Sequence, residues 1–459
     1  MEIKEKFDAV MIGSGQAANP LSSALTRAGK RVAVIERALV AGTCINYGCT
    51  PTKTMIASAQ RAHMVRTAGE LGIDVPDFQV NMERVRQRKR DMVNTFRSGS
   101  ERRFESGSPE LVCGEASFVS PHEILIKLND GNKRKVEAEL IVIDTGTSPK
   151  IPPIEGLNNI AYLDNVSVME LDTVPEHLLI LGGGYIAVEF GQMFRRLGSR
   201  VTLVEKGRHI LANEDEDIAE ALTQILKEDG IEVMTGAEAQ TVANENGRIR
   251  LQLKSGQTSE GSHFLVATGR APNTKELNLQ AAGVETDDGG YVRVNEQLQT
   301  DVPHIYATGD VTGGPAFTHI SFDDYRILRD NLLHGGQRKT SDRLVPYVVY
   351  TDPQLGRVGL TEQDARKHGK KIKVGQLPMT GVARAKETGE SRGLMKVIVD
   401  AESDTILGAA VLGAEGGEIM SMIQIAMMGR LKPQALVDAV LAHPTYAESL
   451  NNLFSNLKD

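Results

Sequence analysis

Hydrophobic and polar positions follow a repeating plan along the chain. An unbroken apolar run, Ala9–Ile12, predicts a buried strand and leads directly into the turn Gly13-Ser14-Gly15-Gln16-Ala17-Ala18. Apolar residues then recur at helical spacing before a second apolar run, Val32–Ile35, which closes on Glu36. The same succession returns over residues 177–205, with Gly182, Gly184 and Ala187 in the turn and Glu205 at the end. In both units the acid lies 23 positions after the first glycine, so the chain carries a weak internal repeat.

Between the two units the pattern predicts a helix over Thr52–Gly69, a charged helix over Asn81–Arg103 and short alternating strands through Ile143. The turn-rich segment Thr145–Pro153 marks a boundary. After Glu205 come a helix over Asp215–Asp229 and strands ending at Phe264–Thr268, and Tyr306–Val311 is another strand running into a glycine turn. From about Thr340 the plan changes to strands at Tyr347–Tyr350, Leu394–Val399 and Ile406–Leu412, then a Met-rich helix at Gly417–Arg430. This last block reads as a separate α+β domain behind an α/β body.

Composition narrows the class. The 459 residues are 41% hydrophobic and 24% charged, which excludes a disordered or fibrous chain. Three cysteines cannot frame a disulfide-stapled secreted domain, so a reducing compartment is expected. No apolar run approaches the ~20 residues of a membrane span, and the first residues, MEIKEKFDAVMIGSG, read as neither signal peptide nor anchor. A net charge of −8 gives no general attraction to nucleic acid or anionic membrane. The expectation is a soluble, cytoplasmic, multidomain protein.

Each strand–GxGxxA–helix–strand–acid unit is a dinucleotide-binding fingerprint. The first glycine allows the tight turn, the second lets phosphate approach the backbone, and Ala18 or Ala187 lets helix and strand pack closely. One such turn would fit many α/β proteins; two complete units at one spacing imply one bound flavin and one exchanging nicotinamide. Glu36 and Glu205 are placed to accept from an adenosine ribose. A carboxylate at Glu205 favours NADH over NADPH, a preference that the nearby Lys206 and Arg208 would soften.

A second segment runs from Ala41 to Lys53 and holds Cys44 and Cys49 with four residues between them. Such a pair closes a disulfide where the first helical turn is irregular. Gly48 supplies permissive backbone, and Pro51 suits a helix start, whose N-terminus favours thiolate. Zinc is a rival reading, but the only other cysteine, Cys113, is remote and is expected in the core. Inert paired thiols are another rival. Near the C-terminus, His443-Pro-Thr-Tyr-Ala-Glu448 offers an imidazole to protonate a departing thiolate and a carboxylate to orient it. Alone, a His-Pro pair is more often a plain turn.

Taken together and in this order, GTCINYGCTPTK, the two GxGxxA units, ATGRAPN (Ala267–Asn273), YATGDV (Tyr306–Val311) and HPTYAE resemble the pyridine nucleotide–disulfide oxidoreductases, which include glutathione reductase, dihydrolipoamide dehydrogenase and mercuric reductase. The resemblance spans essentially the whole chain. It implies two Rossmann-type domains and a C-terminal dimerisation domain: residues 1–149 for FAD, 150–270 for the nicotinamide, 271–340 completing the FAD site and 341–459 at the interface of a homodimer. Cys49 would be the thiol against the flavin and Cys44 the thiol that attacks substrate. Lys53 and Glu189 would pair near the flavin, and His443 and Glu448 would serve the dithiol of the other subunit. The cofactor sites would also draw on Gly42, Thr43, Thr145, Gly146, Gly269, Gly309 and Asp310. The substrate would be a small-molecule or protein disulfide.

Within the family, GQAANPLSSAL, NYGCTPTKTM, FTHISFDDYRIL (Phe317–Leu328) and AESLNNLF are similar to mercuric-reductase-like proteins and to the copper(II)-reducing, reactive-chlorine-resistance reductases. Mercuric reductases end in a vicinal cysteine pair, whereas this chain ends LFSNLKD, which argues against Hg(II) delivery. The pattern also departs at Ala41, where relatives usually carry glycine. His319, Asp323 and Asp324 invite a metal reading, but a helix start with solvated acids is the expectation, and no metal ligand set is assigned. The alternatives keep the cofactors and change the outcome: reduction of Cu(II), Hg(II) or a reactive oxidant, an NADH oxidase that bypasses the disulfide, or a redox sensor or complex subunit. A sensor needs no proton donor for a leaving thiolate, so His443 weighs against that last reading.

Overall fold

The computed structural model describes residues 5–458; the first four residues, part of the stretch read above as lacking a signal peptide, lie outside the described residues. The chain forms two compact units, one from Met1–Thr54, Gln87–Lys150 and Arg270–Arg343, the other from Met55–Arg86, Ile151–Gly269 and Leu344–Asp459.

The first unit is built on a parallel sheet. Glu5–Ile12 lies between Val32–Glu36 and Lys133–Ile143, parallel to both, and Ile305–Ala307 joins the far side of Lys133–Ile143. The apolar runs do not alternate with polar residues here because the central strands are covered on both faces, so Val10, Met11, Val34 and Ile141 are all fully buried. Glu110–Phe118 starts parallel to Val32–Glu36, then turns away to pair antiparallel with Glu123–Leu128. Its period of two carries Val112, Gly114, Ala116 and Phe118 inward. Cys113 is therefore on the other face and exposed, which corrects its expected place in the core. The helix Ala18–Arg27 follows the first glycine turn and packs Leu21 and Leu25 with Ile327 and Leu328 of the helix Thr318–His334.

The second unit repeats the parallel plan in a four-stranded sheet, ordered His263–Val266, His177–Leu181, Arg200–Val204, Glu232–Met234, and adds a three-stranded antiparallel sheet over Ala239–Gly261. Its C-terminal part is a five-stranded antiparallel sheet, ordered Pro346–Val349, Gln354–Gly359, Ile406–Gly413, Leu394–Asp400, Ile372–Pro378, with the helix Gly416–Met428 packed on it. The expected helices over 52–69, 81–103, 215–229 and 417–430 are present as Cys49–Arg66, Met82–Glu101, Glu216–Glu228 and Gly416–Met428. A buried ionic cluster ties the start of Glu216–Glu228 to the five-stranded sheet. Arg357, fully buried, donates to Glu214 and, at 3.0 Å, to Asp215, while Lys396 lies 2.9 Å from Asp217 and 2.8 Å from Glu362. On the outer face of Gly416–Met428, Ile425 and Met428 stay 69% and 68% exposed.

Candidate active site

The two glycine turns are held by matching backbone hydrogen bonds. In the first, the Gly13 amide donates to the Ile35 carbonyl and the Asp144 amide to the Ile12 carbonyl, each at 2.8 Å. In the second, the Gly182 amide donates to Val204 and the Ala267 amide to Leu181, again at 2.8 Å. Gly13 and Gly182 have φ of +101° and +118°, and a Cβ on either would run into the carbonyl oxygen of Asp144 or Ala267. Only glycine fits both positions. Ala18 and Ala187 are fully buried at the starts of their helices, and a Cβ at Gly184 would meet nothing within 4 Å, so that turn presents bare backbone. Glu36 accepts from the Ser14 hydroxyl at 2.6 Å and the Ser14 amide at 3.1 Å, which holds its carboxylate over the first turn. Glu205 is held beside the second turn by the Gly207 amide. Amides at a helix start beside an acceptor carboxylate fit a dinucleotide: the donors meet pyrophosphate and the carboxylate meets ribose.

Around the first turn the sequence-predicted residues converge. Gly42, φ +66°, would place a Cβ 3.0 Å from the Gly15 Cα, so the chain bearing the cysteines touches the turn. Thr43 follows it on the exposed side. The Thr145 hydroxyl is buried with no hydrogen bond, and Gly146 has φ +62°. Thr147 donates to Asp310 at 3.2 Å and accepts from Arg270 at 2.7 Å, while Gly309 donates to Asp324 at 2.8 Å. Burial pushes the Asp310 carboxyl up, with the Arg270 charge opposing. Gly269, φ +132°, lies in the second unit after Ala267. The acids of the Phe317–Leu328 segment are not solvated, which corrects the expectation. Asp324 is buried and 2.6 Å from Arg343, Asp323 pairs with Arg338 at 3.2 Å, and neither caps the helix.

The dithiol sits at a break between two helices. Cys44 belongs to the short helix Gly42–Asn46, and Cys49 opens the helix Cys49–Arg66. Asn46 pins the short helix by donating to the carbonyls of Val40 and Gly42 at 2.8 and 3.0 Å. A Cβ at Gly48 would come within 3.0 Å of the Thr43 carbonyl oxygen and 3.2 Å of the Cys44 Cα, so glycine there lets the second helix start against the first. Ala41 takes the left-handed conformation, φ +82°, a position that favours the glycine of the usual pattern. The two cysteines are separate thiols in this structure. The Cys44 thiol is pushed far up by its hydrogen bond to Cys49, by burial and by the Cys49 charge. The Cys49 sulfur lies 3.3 Å from the Thr318 hydroxyl at the start of Thr318–His334. Lys53 is one turn beyond Cys49, on the same helix face.

In the second unit, Glu448 holds His443 Nδ1 at 2.9 Å, with the imidazole side chain 72% exposed and the carboxylate only 20%. Thr445 steadies the loop by donating to the Ala442 carbonyl and accepting from the Glu448 amide. Nε2 is left as the nitrogen for proton transfer. Glu189, buried on Tyr185–Leu197, accepts from the Tyr350 amide at 2.8 Å. Two further residues escape a motif reading. Thr318 lies inside a noted segment but signals nothing by type. Asp144 is visible only when the ends of the two repeats are compared, where VIDTG stands opposite LVATG.

Comparison with known proteins is consistent over the whole length. Residues 7–324 match the family model described as pyridine nucleotide-disulphide oxidoreductase, and residues 345–454 match its dimerisation domain. The chain is 37% identical over 458 residues, 99% of its length and 100% of the relative's, to the probable pyridine nucleotide-disulfide oxidoreductase RclA of Escherichia coli. It is 35% identical to the mercuric reductase of Staphylococcus aureus, covering 97% of this chain and 81% of that one. Among solved structures, the Cu(II) complex of the HOCl-induced flavoprotein disulfide reductase RclA from Escherichia coli superposes with a TM-score of 0.89 at 36% identity, covering 98% and 99% of the two chains. LpdA from Mycobacterium tuberculosis gives 0.88 at 26% identity over the same shares.

Proposed function

The chain belongs to the pyridine nucleotide-disulphide oxidoreductases, a family of FAD- and NAD(P)H-dependent enzymes acting on a sulfur group or a metal ion, and from that premise we propose how its own residues carry the reaction. The turn Gly13–Ala18, with Glu36, Gly42, Thr43, Thr145, Gly146, Gly309 and Asp310, holds FAD; Gly182–Ala187, with Glu205 and Gly269, holds NADH. Residues 1–149 and 271–340 then form the FAD-binding part, 150–270 the nicotinamide part and 341–459 the dimer interface. NADH is preferred because Glu205, held beside the second turn, would accept from a free ribose 2′-hydroxyl and repel a 2′-phosphate, while Arg208 pairs with Glu216 at 3.1 Å. When bound, FAD supplies hydride acceptance and two-electron delivery to the dithiol.

Cys44 is the attacking thiol. His443 Nε2 takes the Cys44 proton, and the thiolate adds to one sulfur of a substrate disulfide, breaking that S–S bond and releasing one substrate thiolate, to which His443 returns the proton. Cys49, as thiolate, then attacks the Cys44 sulfur in the mixed disulfide, leaving Cys44 joined to Cys49 and releasing the second substrate thiolate, which is protonated from solvent. Glu448 orients His443 and steadies its cation. Lys53 and Glu189 tune the flavin. The dimerisation domain indicates a homodimer, and His443 and Glu448 serve the dithiol of the other copy, with the apolar face at Ile425 and Met428 suited to the interface. The observation that carries this reading is the thiol pair itself: one sulfur held at the Thr318 hydroxyl, the other hydrogen-bonded to it with its pKa raised. Reduction of Cu(II) is a second reading, favoured by the Cu(II) complex solved for the RclA relative.

An anaerobic titration with NADH, and separately NADPH, tests it. The expected result is a long-wavelength absorption band from the Cys49 thiolate against flavin, reached at lower concentration with NADH, followed by reoxidation with disulfides or Cu(II). Flavin bleaching without that band overturns the dithiol route. Gly13→Ala is expected to yield protein without flavin, whereas Gly182→Ala keeps its flavin and raises the KM for NADH by about tenfold or more, since each Cβ would strike a backbone carbonyl. Flavin content and steady-state kinetics of the two variants check this.

A further inference from the structure

The two turns differ in a buried acid. Their backbone hydrogen bonds match, and these place Asp144 in the first where Ala267 stands in the second, each followed by Thr-Gly. The fold of the turn therefore needs no acid there. Asp144 is buried, and its Oδ2 accepts from the Ala18 amide at 2.9 Å, the first residue of the helix whose N-terminus faces the turn. A Cβ at Gly15 would lie 2.6 Å from Oδ2, and one at Gly309 3.2 Å from Oδ1, so the carboxyl is packed directly beneath the glycines.

We propose that Asp144 is a positioning residue for FAD that acts through its charge: protonated, it leaves the Gly13–Ala18 turn free to hold an anionic pyrophosphate, and ionised it opposes that anion, so flavin binding takes up a proton. This rests on the reading that the Gly13 turn holds FAD. The groups facing Asp144 support it. Asp310, on the strand-to-helix turn, and Asp324, on Thr318–His334, both raise its pKa by their charge. The nearby cations are committed elsewhere, Arg343 to Asp323 and Asp324, and Arg270 to Thr147. Among the described residues no cationic side chain pairs with Asp144. Burial and the two acids push its carboxyl up to about 7, against the Ala18 amide and the Thr308 hydroxyl, which favour the ionised form. An anion in the turn raises it further. Affinity then falls as pH rises above the value in the flavin-free protein, by up to about tenfold per pH unit for one linked proton.

The test measures FAD dissociation by flavin fluorescence across the range from mildly acidic to alkaline pH. The wild-type constant should rise steeply above about pH 7, where the buried carboxyl ionises, while Asp144→Asn and Asp144→Ala, the latter copying Ala267, should bind with nearly constant affinity. A flat wild-type profile, or a variant retaining the wild-type slope, overturns the proposal. Should Asp144→Asn fail to fold, Asp144→Ala carries the comparison. Calorimetry of FAD binding to flavin-free wild type, in two buffers of different ionisation heat, reads the proton directly; absence of uptake overturns the proposal as well. A protein that takes no flavin at any pH overturns the assignment of the turn itself, whereas tight but pH-independent binding overturns the role of Asp144 alone.

Discussion

Cys44→Ser is expected to lower turnover with a disulfide acceptor by about a thousandfold or more while leaving the protein yellow and reducible by NADH. The variant keeps the Thr318 contact and the helix start at Cys49, so the second thiol still ionises. With no sulfur at position 44, Cys49 can no longer be held in the disulfide with Cys44 and stays a free thiol. The long-wavelength band should therefore be present before any NADH is added. Cys49→Ser should lose the band altogether. Stopped-flow absorbance and steady-state turnover of both variants check this, and full activity in Cys44→Ser would transfer the chemistry from the dithiol to the flavin.

The second large effect falls at the proton donor. His443→Ala should lower turnover by about 10²–10⁴-fold at neutral pH, the usual contribution of a placed general acid. Glu448→Gln should cost less, because it keeps a partner for Nδ1 and loses only the stabilising charge. Neither change touches the cofactor turns, so flavin content and the rate of reduction by NADH should be unaffected. The shared site gives a sharper outcome. Mixing unfolded Cys44→Ser and His443→Ala chains and refolding them should regain about a quarter of wild-type activity, since half of the dimers are mixed and each has one intact site. No recovery would mean that His443 serves its own chain.

Much of this site could be read from the sequence because its demands are local. Gly13 and Gly182 answer a backbone clash within their own strand–turn–helix units, and Cys44, Gly48 and Cys49 answer the break between two adjacent helices. The long helices and the buried parallel strands followed from apolar runs and periodicity in the same way. What escaped depends on partners far along the chain. Thr318 matters only because its hydroxyl meets a sulfur 269 positions away. Asp144 is legible as an apolar strand's end, and its burial depends on Gly309 and on the acids beyond it. Asp323 and Asp324 looked solvated because Arg338 and Arg343 are remote in pattern. Cys113 was assigned to the core on residue type, when strand parity decides the face.

The division of the chain has a consequence for how the protein is made. The first unit draws on Met1–Thr54, Gln87–Lys150 and Arg270–Arg343, and its sheet is completed by Ile305–Ala307 beside Lys133–Ile143. On the ribosome, the nascent chain must expose the apolar edge at Ile141, Val142 and Ile143 until that last strand emerges. At about 5–20 residues per second this wait lasts roughly 8–30 s. Throughout it, the edge is open to wrong pairing with other nascent chains. The late arrival of one short strand thus makes biosynthesis, more than the finished fold, the stage at which chaperones matter for this enzyme.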